Sequence, residues 1–211
     1  MLLKDEIDGI FRLFQEQKKH PRIELDYSNN FTLLVAVVLS AQSTDKGVNK
    51  VTSQLFPKAD NPYKMLLLGK KKLKQFIKTL GLYNNKANYL MAAAKIMYEE
   101  YNNQVPETFE ELCALPGVGR KSANVLLNVL FNHPTIGVDT HVFRVSNRLG
   151  LCHTKTPKAT EYELIKIVGK QWQKYAHHWL VLHGRYICKA RKPLCNQCVV
   201  ENFCMFKFKV I

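Results

Sequence analysis

The stretch LPGVGRKSANV, residues 115–125, constrains this chain more than any other. An apolar helical stripe ends at Leu115 and Pro116, two glycines bracket Val118, and a second stripe resumes behind Arg120 and Lys121. Gly117 and Gly119 open backbone angles closed to other residues, so two helices joined by so short a turn fold back on one another. Leu112 and Leu115 on one side face Val125, Leu126 and Val129 on the other. The turn also presents backbone N–H groups beside a helix N-terminus, which together make an anion site of phosphate size. An ordinary αα-hairpin needs neither paired glycines nor a basic helix start. The pattern is a helix–hairpin–helix, which grips a nucleic-acid backbone without reading its sequence.

Lys121 raises a question of its own. The dipole at a helix N-terminus disfavours a positive charge. Either the lysine grips a phosphate, or it loses its proton readily enough to act as a nucleophile.

The rest of the chain reads as helix. Ile7, Ile10, Phe11 and Phe14 form one stripe, and Phe31 to Leu39 is apolar all round, as in a buried central helix. Further helices are expected over 45–56, 63–68, 71–80, 86–98, 107–115, 121–131, 140–149, 159–168 and 176–190. No alternating strand pattern appears, so the class is all-α. No apolar run is long enough to span a bilayer. The N-terminal segment has acids within its stripe and no signal-peptide cleavage site. The expectation is a soluble, cytoplasmic protein, and a monomer.

Lysine and arginine number 31 against 17 acids, a formal charge of +14 spread along the whole chain. A folded domain with a basic face points to nucleic acid as its partner. Lys70, Lys71, Lys72, Lys74 and Lys78 form a basic run whose simplest reading is a solvated helix face. Four of the six cysteines crowd the C-terminal end, as Cys188-x6-Cys195-x2-Cys198-x5-Cys204. In a cytosolic chain that cluster is a metal site. It lacks the two close pairs of a zinc ribbon, but by ligand count four thiolates fit zinc or a [4Fe–4S] cluster. Cys113 and Cys152 read as ordinary buried thiols.

Just past the hairpin, Asp139 stands before a helix starting near Thr140. Alone it would be an N-cap; beside Lys121 it becomes one half of a candidate catalytic pair. Here LPGVGRKSANVLLNVLF and PTIGVDTHVFRVSNRLGL closely resemble the endonuclease III family of DNA glycosylase/AP lyases. The resemblance continues through LLVAVVLSAQSTDKGVNK, IKTLGLYNNKA, HHWLVLHGRYICKARKP and the cysteines, covering nearly the whole chain.

The resemblance implies a two-domain fold: a six-helix barrel over 22–132 holding the hairpin, and a discontinuous helical domain, 1–21 with 133–211, holding a [4Fe–4S] cluster. It implies excision of oxidised pyrimidines from duplex DNA, followed by β-elimination through a lysine Schiff base. Lys121 would be the nucleophile and Asp139 the essential carboxylate. Adenine-excising members of the superfamily lack the lysine. Gln42 and Leu82 would enter the stack left by a flipped base, with His141 and Asp45 lining the pocket. Gly117, Gly119, Arg120, His141 and Lys192 would contact DNA, and Cys188, Cys195, Cys198 and Cys204 would bind the cluster. One departure stands out: Cys113 occupies a position where close relatives often carry a carboxylate.

Overall fold

Six helices begin on a side chain that accepts a bond from the first helical turn, and these caps set most of the boundaries. The computed structural model describes residues 2–209. Its α-helices are α1 (Lys4–Gln17), α2 (Asn30–Ser40), α3 (Asp45–Leu55), α4 (Pro62–Ile77), α5 (Tyr83–Glu100), α6 (Phe109–Ala114), α7 (Arg120–Phe131), α8 (Thr140–Leu149), α9 (Pro157–Ile167) and α10 (Lys170–Tyr186). Two single-turn 3₁₀ helices follow at Cys195–Gln197 and Glu201–Phe203. No strand occurs among the described residues. Asn29, Thr44, Asn61, Thr108, Asp139 and Thr156 supply the caps of α2, α3, α4, α6, α8 and α9, and Pro62 and Pro157 follow two of them at positions that need no N–H.

The break expected between 63–68 and 71–80 is found at Gly69, whose φ of 76° and ψ of 154° kink α4 into two helical segments. Periodicity misplaced several ends. The last long helix starts at Lys170, not 176, and stops at Tyr186. There a largely polar first turn carries the helix ahead of its apolar stripe, and a stripe is all that periodicity detects.

The chain divides into two compact units, 24–131 and 1–23 with 132–211. In the first, comprising α2 to α7, every residue from Phe31 to Leu39 is buried. α2 packs against α3, α5 and α7. Each fully buried leucine or valine there stabilises the unit by roughly 1.5–3 kcal/mol. In the second unit Phe11 of α1 lies 6.2 Å from Trp179 of α10, with Val142, Val145 and Leu149 of α8 in the same core. Both tryptophans of α10 are tethered, Trp172 Nε1 donating to Asp8 at 2.7 Å and Trp179 Nε1 to the Lys18 carbonyl at 2.8 Å.

Candidate functional site

The hairpin joins α6 to α7. α6 ends as Leu115 turns extended, and the Val118 N–H donates back to the Leu115 carbonyl at 3.0 Å. Gly117 takes φ 86°, and a Cβ there would stand 2.9 Å from the Tyr89 side chain, so no other residue fits. Gly119 differs. Its φ is not in the left-handed region, and a Cβ would meet nothing within 4 Å. The protein itself therefore does not require glycine at 119, contrary to the expectation that both glycines serve the turn's backbone. Leu112, Leu115 and Val118 are buried beneath the turn with Ala123, Val125, Leu126 and Leu127, while both glycines face solvent. Arg120 lies over the Phe109 ring at 4.8 Å, and Lys121 is half-buried on the first turn of α7.

Two exposed turns in the same unit carry the residues expected to enter DNA. Ala41 (φ −55°, ψ 118°) and Gln42 (φ 53°) form a turn closed by the Ser43 N–H donating to the Ser40 carbonyl at 3.0 Å. These are the angles of a type II turn, whose third position normally calls for glycine. Leu82 starts α5 at φ 56°, ψ 26°, without a side-chain cap and 53% exposed. A non-glycine residue in this region is strained, and such strain clusters at functional sites. Asp45, half-buried, is the first residue of α3.

In the other unit Asp139 is indeed an N-cap: its Oδ1 accepts from the His141 and Val142 N–H groups, both at 2.8 Å. His177 fixes the approach to it, bonding the Gly137 carbonyl at 2.6 Å. His141 is half-buried, its Nδ1 3.3 Å from Arg144, whose guanidinium also donates to the carbonyls of Gly184 (2.8 Å) and Cys188 (3.2 Å).

The four C-terminal cysteines line a single cavity with Leu149, His183 and Phe206. Burial pushes the Cys198 thiol up to about 11 and raises Cys204 as well, so thiolates there call for a cation, which coordination supplies. Among the described residues no three Cys, His, Asp or Glu side chains converge on one ion. Four thiolates around one cavity fit zinc or a [4Fe–4S] cluster by ligand count. Burial also drops His183 to about 4, keeping it neutral beside Cys198 Sγ at 3.5 Å. Arg148, which the sequence did not single out, donates to Cys188 Sγ (3.6 Å) and to the carbonyls of Lys189 (2.7 Å) and Ala190 (3.0 Å). It thereby fixes the loop carrying Lys192, exposed at φ 51°. Cys152 is buried, but Cys113 is only half so, which corrects the reading of it as a core thiol.

Comparison with known proteins places this arrangement in a class. Residues 35–170 match the HhH-GPD superfamily of base excision DNA repair proteins. Residues 188–204 match the iron–sulfur binding domain of endonuclease III. Endonuclease III of Rickettsia conorii is 52% identical over 204 residues, 97% of each chain. That of Escherichia coli K12 is 49% identical over 201 residues, 95% of each. A solved structure of a trapped endonuclease III–DNA covalent intermediate, with an estranged adenine, superposes with a TM-score of 0.91 at 42% identity, covering 97% of both chains. The chain belongs to the endonuclease III family: it is a base-excision-repair enzyme of the DNA N-glycosylase/AP lyase class, carrying a [4Fe–4S] cluster on its C-terminal cysteines.

Proposed function

We propose that the enzyme removes oxidised pyrimidines from duplex DNA and then cuts the strand 3′ to the abasic site by β-elimination, with Lys121 as nucleophile. The observation that carries this reading is a half-buried lysine on the first turn of α7, directly behind a glycine-pivoted turn whose Gly119 has open space on its side-chain face. That space leaves room for a phosphate against the N–H groups of the turn, and phosphate contact brings a sugar to Lys121.

The neutral Nζ attacks C1′, the bond to the base breaks, and the base departs with the electron pair and a proton. The sugar ring opens as the amine nitrogen forms the Schiff base. Loss of a C2′ proton then expels the 3′ phosphate, and hydrolysis of the imine frees the lysine. Asp139, whose Oδ1 carries both cap bonds, offers Oδ2 to take the amine proton and to face positive charge developing on the sugar. Gln42 and Leu82 fill the space left by the flipped nucleotide, and Asp45 and His141 line the pocket for its base. Arg120 and Lys192 contact backbone phosphates. Residues 24–131 act as the barrel domain that holds the hairpin, and the remainder as the cluster domain. The four cysteines hold the cluster, which fixes the Lys192 loop and takes no part in the chemical steps. The enzyme acts as a monomer in the bacterial cytoplasm.

Borohydride trapping on a duplex with one abasic site tests the lyase. A covalent adduct is expected from the wild type and none from Lys121→Gln. Wild-type protein that binds the duplex yet gives no adduct would refute it. Excision across a panel of oxidised pyrimidines, with a mismatched adenine as control, tests the substrate class.

A further inference from the structure

Lys86 is the one lysine buried to 3% exposure among the described residues. It lies on the first turn of α5, four residues after Leu82, on the stripe that buries Leu90, Ala94 and Met97. Its Nζ donates to the Leu39 carbonyl at 2.8 Å and to Ser43 Oγ at 2.9 Å, while its backbone N–H donates to the Leu82 carbonyl at 3.0 Å. Leu39 is in the last turn of α2, whose carbonyls lack helical partners and favour a cation. Ser43 is the residue after Gln42. Lys86 therefore bonds to both strained turns, and the turns abut: a Cβ on Gly81 would stand 3.2 Å from the Gln42 carbonyl.

Two left-handed non-glycine residues on neighbouring exposed turns persist only where surrounding bonds over-determine them. Burying an ammonium is costly unless it is fully bonded, and an apolar residue of similar length would suit the core of α5 as well. The bonding pattern explains the lysine.

We infer that Lys86 is a positioning residue that locks the Gln42 and Leu82 turns at one fixed spacing, so that both side chains enter the DNA stack as a unit. The inference rests on the assignment of Gln42 and Leu82 as the inserting residues. Lys86 touches neither substrate nor reacting atoms. Its loss should weaken duplex opening and leave the chemistry of Lys121 intact.

The test is Lys86→Met, close in length and without donors, with two readouts on the full, cluster-loaded enzyme. One is excision of an oxidised pyrimidine from duplex DNA under single-turnover conditions. The other is β-elimination at an abasic site in single-stranded DNA, where there is no stack to enter. We expect the ratio of the two rates to fall roughly tenfold to a hundredfold, the range for misplacing groups by about an ångström. A 2-aminopurine beside the lesion should show a smaller fluorescence rise on binding. A purely structural role for Lys86 would lower both rates together and leave the ratio unchanged, which overturns the proposal. Gln42→Ala and Leu82→Ala are measured alongside. If they lower the ratio and Lys86→Met does not, the coupling is wrong and the insertion assignment stands. If they leave it unchanged, the assignment fails and the coupling with it. Where Lys86→Met does not fold, Ser43→Ala removes one of the two side-chain bonds: a several-fold fall in the ratio supports the lock, and no change refutes it.

Discussion

The hairpin and the cysteine tail hold their functional groups in place by opposite means. α7 buries six residues in succession, Ala123 to Asn128, so Lys121 sits on a helix anchored by packing. Neither 3₁₀ helix of the tail has a buried residue, and of 195–204 only Val200 is fully buried. The tail is held by Arg148, a few turn bonds, the Lys209–Glu201 pair, Val200 and Phe203 against the core, and four cysteines around one cavity. A chemical group that must be aimed is mounted on a packed helix. A segment that only presents a basic loop can rely on a ligand.

That contrast can be broken from either side. The largest effect is expected for Lys121→Gln, which should cut strand cleavage by roughly three orders of magnitude or more while thermal stability and visible absorbance stay near wild type. Cys198→Ser should do the reverse: bleach the visible absorbance and lower stability by more than about 3 kcal/mol, since ligand binding there is folding energy, as read from spectra and melts. Leu126→Ala, fully buried in α7, should cost about 2–5 kcal/mol yet keep its colour, separating packing from ligation. Asp139→Asn sharpens the same line within one residue. Asparagine caps as well as aspartate, so stability should change by less than about 0.5 kcal/mol while base excision falls roughly a hundredfold or more. The smallest effect belongs to Gln42→Gly. It should relieve the left-handed strain and raise stability by about 1 kcal/mol in denaturant titration, while lowering excision from duplex DNA.

Much of this was legible without coordinates because the relevant signals are local. The all-helical class follows from apolar stripes, and the cap of α8 from Asp139. The need for glycine at 117 is a property of one turn; the open face at 119 is not, because it depends on what lies nearby. Lys86 was missed for a similar reason. A lysine on the apolar stripe of α5 is a visible anomaly, but only the fold shows that it reaches Leu39 and Ser43, more than 40 positions away. Arg144 and Arg148 carry no local signal, because their targets, the carbonyls of 184–190, are just as remote in sequence. Cys113 looked like core because cysteine usually is, and the short α6 leaves it half-exposed.

The central claim is that one amine, on the first turn of α7, does the covalent chemistry. Reduce the enzyme–abasic DNA adduct with borohydride, digest the protein, and locate the deoxyribose fragment by mass spectrometry. The account predicts the fragment on Lys121 alone; finding it on the N-terminal amine or on any other lysine would contradict it.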